Sequence, residues 1–174
     1  AAINEKAKRA PSGPDPADWR SFFGSLLGRD YISARNATIE FAVKNFSLHS
    51  LIWLEKRADR LESTAVSAKL KGRSVNVGIA VDDERLADAA AGETPTVLGK
   101  PATAEEPNPK QVLLFAMPVG DEIPAALVVL DKVPQEDRRR AVARFCRSVA
   151  PQLEILRLRA EMERRARLDE VSER

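Results

Sequence analysis

Cysteine and histidine are almost missing from this chain, which has one of each among 174 residues. A single cysteine excludes an internal disulfide and a cysteine metal cluster, and a single histidine excludes a metal site built from several imidazoles. A Ser-His-Asp set would rest on His49 alone, and no glycine-rich phosphate loop is present. These absences argue against an enzyme. The cysteine usage suits a reducing compartment, so we expect a cytoplasmic protein.

Long apolar runs and an excess of one charge sign are also missing. No apolar run approaches the ~20 residues needed to cross a bilayer, and 28 basic residues nearly balance 26 acidic ones. The sequence therefore predicts neither a membrane nor a nucleic acid as a partner of this chain. Its 44% hydrophobic and 5% aromatic content predicts one domain with an aliphatic core and terminal tails. Because it has no initiator methionine and no signal-peptide pattern, we interpret the chain as a fragment.

The most apolar stretch runs from Gln111 to Lys132 and predicts a β-hairpin. Val112 to Val119 and Ala125 to Leu130 are rich in branched residues, and Gly120 with Asp121 supplies the turn between them. Both runs are nearly continuous rather than alternating, which is typical of strands that are covered on both faces. The sequence therefore predicts a central hairpin between flanking layers.

Two helices and a second hairpin are predicted before this stretch. The first helix begins at Pro16 or Asp18, is capped by Asp15 or Asp18, and is interrupted at Gly28. The second runs from about Asp30 to Asn45, with an apolar stripe formed by Ile32, Ile39, Val43 and Phe46. The remaining expected elements are strands Leu48 to Glu55 and Leu61 to Ala68, an extended segment Val75 to Val81, a short helix within Asp82 to Glu93, a strand Thr96 to Leu98 and a variable loop Gly99 to Lys110.

A final helix begins near Gln135 and carries Pro151 in its interior, which predicts a kink or a local break. Its apolar face includes Val149, Leu153 and Leu156. Beyond Leu156 this face thins to Leu158, Met162, Leu168 and Val171 among alternating arginines and glutamates. A stripe this narrow is more easily buried against a second copy of the helix than against its own domain. We therefore expect a homodimer through Val149, Leu153, Leu156 and the helix that follows them.

Three groups of residues invite a chemical interpretation, and each has a simpler structural one. His49 is a possible metal or haem ligand, but a lone histidine beside a strand is usually a packed or hydrogen-bonded residue. Cys146 lies on an apolar helix face, where a thiol behaves as a small hydrophobe. The acidic run from Asp82 to Glu84 could bind Mg²⁺ or serve acid-base chemistry. Acids at a helix start are already explained by the macrodipole, so we predict no metal, no cofactor and no catalytic residue.

The order of these elements resembles that of the GAF domain family. The residues that carry the resemblance are LIWLEKRADRLE at Leu51 to Glu62, AGETPTVLG at Ala91 to Gly99 and LLFAMPVGDEIPAALVVLD at Leu113 to Asp131. Alanine replaces the glycine that the family usually has in its return strand. The resemblance covers about residues 30 to 156. It implies an α+β fold related to PAS domains, with a central antiparallel sheet, the N- and C-terminal helices on one face and a small-molecule pocket on the other.

The resemblance implies a domain organisation and a function. Residues 1–18 would form a linker, 19–156 the GAF-like domain and 157–174 a signalling or coiled-coil helix leading to an output domain. Such a domain would bind a small molecule or a partner and pass its state through the last helix. The expected pocket residues are Trp53, Arg73, Arg85, Phe115 and Met117. The alternative is a ligand-free dimerisation spacer.

The ligand classes known from the family find little support in these residues. Bilin attachment would need a pocket cysteine, whereas Cys146 lies on the last helix. Haem would rest on His49 alone. The residue pattern of cyclic-nucleotide binding is not recognisable, and the methionine sulfoxide reductases that share the fold use several cysteines. The ligand, the output domain and the pathway therefore stay open.

Overall fold

A single antiparallel sheet of six strands organises the chain, in the order β3-β2-β1-β6-β5-β4. The computed structural model describes residues 13–99, 103–106 and 111–172. The strands are β1 Leu51–Arg57, β2 Arg60–Val66, β3 Gly78–Ala80, β4 Thr96–Leu98, β5 Val112–Val119 and β6 Glu122–Val129. The helices are α1 Pro16–Leu26, α2 Tyr31–Asn45, α3 Glu84–Ala91 and α4 Glu136–Ser172, and a 3-10 turn spans Ala68–Leu70. The predicted α+β class and the predicted antiparallel sheet are confirmed.

Three aspartates fix where the first helices begin. The Asp15 carboxylate accepts a hydrogen bond from the Asp18 N–H at 2.9 Å, and that of Asp30 accepts from the Ser33 N–H at 2.8 Å. Asp83 caps α3 in the same way, through the N–H of Arg85. Each carboxylate satisfies a backbone donor that has no partner inside its helix. The predicted starts of all three helices are correct to within about two residues.

The central hairpin of β5 and β6 forms as the sequence predicts, with Val119 paired to Glu122 across the turn. Gly120 has a φ of 59°, a left-handed conformation that glycine adopts without steric cost. On its other edge β6 pairs with β1, so that Trp53 lies opposite Leu127. The short strand β4 pairs only with the first part of β5, from Val112 to Leu114.

Both faces of the sheet are buried, each by different elements. We call the side covered by α1, α2 and α4 the helical face; its core includes Leu51, Trp53, Phe115, Leu127 and Phe145. We call the other side the α3 face, because α3 and the 3-10 turn cover it with Leu86 and Leu70. Alternate residues of β1, β5 and β6 point to opposite faces, which explains why these strands are apolar throughout.

The structure corrects several details of the sequence-based expectations. The first strand starts at Leu51, three positions later than expected, and the second ends at Val66. Ile32, assigned to the apolar stripe of α2, is 59% exposed. The final helix continues through Pro151 without a break. Residues 1–12 of the expected linker, and most of the expected variable loop from Gly99 to Lys110, lie outside the described residues.

Candidate functional site

The structure does not bring the five expected pocket residues together. Trp53, Phe115 and Met117 are buried in the core of the helical face. Arg73 is exposed after the 3-10 turn, and Arg85 is exposed in the first turn of α3. Both arginines thus belong to elements that cover the α3 face. The three strand residues share one face because side chains at alternate positions of a strand point to the same side of the sheet.

A small cavity lies beside Trp53 and Met117, under α4. It has a volume of about 10 Å³ and is also lined by Tyr31, Leu153 and Arg157. This is at the lower limit of the space that holds one water molecule, and it is too small for a metabolite. Trp53 is fully buried, and its indole is a hydrogen-bonding neighbour of the Tyr31 phenol. The cavity therefore places one buried polar donor at the junction of α2, the sheet and α4.

A polar cluster surrounds this junction, and its members come from three elements. Arg35 of α2 pairs with Glu55 of β1 at 3.1 Å, with both side chains largely buried. In α4, the Nε of Arg157 donates to Glu154 at 2.9 Å, and this bond raises the pKa of the arginine. Burial, and after it the Glu55 carboxylate, raises the pKa of the Tyr31 phenol, which stays protonated. The Arg35–Glu55 pair thus joins α2 to β1, and the Arg157–Glu154 pair lies beside it within α4.

Few signals in the sequence indicate this cluster. Its members come from three distant segments, and helical spacing relates only Tyr31 to Arg35 in α2 and Glu154 to Arg157 in α4. No periodic pattern distinguishes Arg35 or Glu55 from the other charged residues of their elements. Contacts between such distant residues become visible only when the strand and both helices have been placed in space.

The α3 face is filled by side chains of the chain itself. Leu54, Leu61 and Leu114 project from the sheet and are at most 1% exposed, as is Leu86 of α3. Ala126 is fully buried beside them. Either Ala125 or Ala126 stands where the family usually has a glycine. The described residues thus close the centre of this face with an aliphatic core.

The expected dimer residues of α4 are packed inside the chain's own core. Val149, Leu153 and Leu156 belong to the core of the helical face, so they are not accessible to a partner. Three exposed apolar residues lie on the opposite side of the helix: Ile155 is 43% exposed, Leu158 45% and Met162 69%. We call these three residues the outer stripe. Their spacing of three and four positions places them along one side of the helix.

The far part of α4 also borders an open groove against α2. The groove has a volume of about 800 Å³ and is lined mainly by polar side chains, including Asn36 and Glu40 of α2 and Glu163 and Arg167 of α4. Exposed Ile32 also contributes to its wall. Its width and polarity are those of a surface channel between two helices rather than of an enclosed ligand pocket.

The three groups considered for chemistry have structural partners. The backbone N–H of His49 donates to Asp131, and its side chain is exposed. Cys146 is completely buried, and burial raises the pKa of its thiol to about 12. The side chain and the backbone N–H of Arg85 lower the pKa of Asp83 to about 2. Within residues 13–99, 103–106 and 111–172, no group of three or more potential metal-binding side chains occurs.

The sequence and the fold of this chain can be compared with those of known proteins. No protein-family model matches the sequence, and no curated protein matches it either. Solved structures do match. The GAF domain of a candidate sensor histidine kinase from Pseudomonas syringae pv. tomato superimposes with a TM-score of 0.57 and 18% identity, over 95% of this chain and 99% of that one. This chain has the GAF-domain fold.

Other GAF domains match over a similar extent. The GAF-B domain of DevS from Mycobacterium smegmatis has a TM-score of 0.55 and 13% identity, covering 76% of this chain and 99% of its own. The GAF domain of an Acinetobacter phosphoenolpyruvate-protein phosphotransferase has a TM-score of 0.56 and 11% identity, covering 83% and 97%. The structural neighbours of this GAF-fold chain therefore include domains of sensor kinases and other signalling proteins. At these identities the likeness establishes the fold.

One further observation bears on the setting of the GAF fold. Among the helices of the described residues, none is both long enough and apolar enough to cross a membrane. The long helix α4 is rich in charged residues along its far part.

Proposed function

We propose that this chain is the regulatory GAF-fold module of a signal-transduction protein, that it forms a homodimer, and that it transmits its state through α4. The observation that carries the proposal is the length of α4, which has 37 residues. Its last buried residue is Leu156. From there to Ser172 the helix continues for about 24 Å at 1.5 Å per residue. A helix that runs so far beyond its own core is suited to contact a second element.

The outer stripe is the surface proposed for the second copy. Exposed apolar residues at positions 155, 158 and 162 follow the three-four spacing of a coiled-coil seam. On one flank of the stripe lie Glu154 and Glu161, and on the other lies Arg159. In a parallel pair Glu154 of one copy approaches Arg159 of the other, whereas an antiparallel pair places glutamate against glutamate. The charges therefore favour a parallel pair.

We test this surface by the molar mass of the full chain in solution, measured by light scattering and sedimentation. Leu158→Asp and Met162→Asp place a charge in the seam, and we expect each to weaken self-association at least tenfold. Leu168→Asp is the matched control: Leu168 is 58% exposed on the same helix but lies on another side of it, about 110° from the seam centre at 100° per residue. A monomeric wild type would contradict the dimer, and equal effects of all three substitutions would contradict this seam.

The orientation of the pair is tested separately by cross-linking. In a parallel pair, position 162 of one copy lies beside position 162 of the other, so Met162→Cys is expected to form an intermolecular disulfide under mild oxidation. Cys146 is completely buried and does not compete. The control is Glu163→Cys at the next position. Its cross-linking is expected to be at least fivefold slower, because position 163 points away from the seam. Faster cross-linking at 163 than at 162 would exclude the parallel seam.

We further propose that the module has no catalytic activity and responds to a small molecule or a partner protein. The neighbouring GAF domains belong to sensor kinases and a phosphotransferase, which supports a regulatory role. A thermal-shift screen of the full chain with nucleotides, amino acids and aromatic acids tests the small-molecule branch. A saturable rise in the melting temperature with one class of compound is the expected result.

The second candidate function is a ligand-free dimerisation spacer. The observation that favours it is the closed α3 face, where Leu54, Leu86 and Leu114 are already buried by the chain itself. A spacer would show no saturable shift with any compound, while its self-association would remain. A ligand-specific shift would exclude the spacer. A protein that shows such a shift but is monomeric would exclude only the proposed homodimer.

A further inference from the structure

One side chain joins the two faces of the sheet. Arg147 lies on α4, on the helical face, and is half-buried. Its guanidinium donates to the carbonyl of Ala90 at 2.6 Å and also to the carbonyl of Gly92. Both carbonyls belong to the C-terminal end of α3, whose residues Leu86 and Ala89 pack on the opposite face. Arg147 therefore connects the helix that leaves the domain with the helix that covers the other face.

The edge of the sheet permits this contact. The strand β4 pairs only with Val112 to Leu114 of β5. Over the rest of β5, from Phe115 to Val119, the described residues place no further strand on that edge. α4 packs across β5 on one face and α3 packs against β5 on the other. A long side chain can thus reach from one helix to the other around the uncovered part of the strand.

The end of α3 is built to accept a positive charge. The last carbonyls of a helix have no partner inside it, and they form the negative end of its dipole. Cations of the same helix often fill this role, but α3 has no basic residue in its last turn. The Gly92 N–H is already used in a bond to the Asp88 carbonyl. Arg147 therefore supplies from α4 the cationic cap that α3 lacks.

Arg147 also lies at the weakest turn of its own helix. Pro151 stands four residues later and has no N–H, so it cannot donate the helical bond that the carbonyl of Arg147 would otherwise accept. A turn without this bond bends more easily than its neighbours. The outer stripe begins at Ile155, directly after this turn. The contact with α3 is therefore made where α4 is most easily bent, just before the surface proposed for the second copy.

We propose that Arg147 couples the position of α3 to the Pro151 turn of α4, and so links the α3 face to the exit of the domain. The inference rests on the proposed relay through α4, but it concerns a single contact and does not depend on the identity of a ligand. A shift of α3 would pull or release the guanidinium. The turn at Pro151 would then bend or straighten, and the direction of the outer stripe would change with it.

Hydrogen exchange on the full chain tests the coupling, read at the amides of residues 90–92 in α3 and 152–155 in α4. Arg147→Gln removes the charge and the Nη2 donor that serves both carbonyls. We expect exchange to rise about tenfold in both segments, because hydrogen bonds from a charged group are among the stronger ones. Arg144→Gln is the matched control, since Arg144 is exposed one turn earlier on the same helix, and we expect no change in either segment. Arg147→Lys, which keeps the charge on a shorter side chain, is expected to have an intermediate effect.

A second variant separates coupling from a purely local cap. Leu86→Ala loosens α3 from the α3 face, where Leu86 is fully buried. In the presence of Arg147 this change is expected to raise exchange at residues 152–155 at least threefold. With Arg147→Gln added, the further change at 152–155 should disappear while that at 90–92 persists. An effect of Arg147→Gln on α3 alone, or an unchanged response to Leu86→Ala in the double variant, would overturn the coupling.

The dimer is measured in the same samples by light scattering. Coupling that is intact in a monomeric protein would overturn the proposed homodimer and leave the inference standing. A dimer without coupling would overturn the inference and leave the proposed function standing. The two failures are therefore distinguishable.

Discussion

Replacing Leu153 and Leu158 separately by alanine makes the sharpest test of how α4 is oriented. The two leucines lie five positions apart on one helix, yet Leu153 is 4% exposed and Leu158 is 45% exposed. The chemical change is the same in both variants. Any difference in the free energy of unfolding therefore reports the surroundings of the side chain.

The expected magnitude for Leu153 follows from its burial. Each carbon removed from a core costs about 0.8 kcal/mol in transfer free energy, and the space left behind raises the total for leucine to about 2–5 kcal/mol. Leu153 already borders a cavity of about 10 Å³, so the vacated volume joins an existing space. We expect a loss of about 3 kcal/mol, which lowers the melting temperature by about 6–12 °C for a chain of this size. At Leu158 we expect a change within about 0.5 kcal/mol.

Urea unfolding followed by tryptophan fluorescence measures both values. Trp19 and Trp53 both belong to the core of the helical face or pack against it, so the signal follows this core. Each variant is unfolded at two protein concentrations that differ tenfold, because dimer formation adds a concentration-dependent contribution. At the lower concentration, a loss below about 1 kcal/mol for Leu153→Ala, or equal losses for both variants, would show that the helix is rotated from the orientation described.

Three other predictions concern individual contacts. Arg35→Met leaves Glu55 unpaired beside Tyr31 and is expected to cost about 2 kcal/mol; adding Glu55→Gln should recover most of it in urea unfolding. Because Arg85 lowers the pKa of Asp83 from 3.8 to about 2, the stability that this carboxylate contributes is present above pH ~4 and is lost as the pH falls through about 2; exchange at α3 amides should rise over that range, and less so in Asp83→Asn. The native Cys146 thiol, with its pKa raised to about 12 by burial, should react with a disulfide reagent no faster than the protein unfolds. Because the folded chain favours the neutral thiol, the stability contributed by Cys146 is complete below pH ~9 and is lost as the pH rises towards 12.

Much of the fold could be predicted from short-range features of the sequence. Asp15, Asp30 and Asp83 cap helices because a carboxylate reaches a backbone donor two or three residues away. Gly120 turns the central hairpin because it adopts a positive φ freely. The continuous apolar character of β5 and β6 predicted that both faces are covered, and the two cores confirm it. Each of these features depends on residues that are close neighbours in the chain.

The assignment of residues to a site did not follow from the same signals. In an apolar strand without alternation, nothing in the sequence distinguishes the two faces, so Trp53, Phe115 and Met117 were expected in a pocket but lie under α4. On α4 itself, two apolar stripes lie on opposite sides of the helix. Only contact with the sheet reveals that Val149, Leu153 and Leu156 are the inner one and that the outer stripe is exposed.

By itself, then, the sequence determined the kinds of element, their order and the double covering of the sheet. The tertiary structure decided which side of each strand and of α4 faces the core. It also placed Arg147 beside the carbonyls at the end of α3. The physical reason is the range of the interactions. Caps, turns and periodicity act within a few residues, whereas parity and the reach of a long side chain depend on where distant segments lie in space.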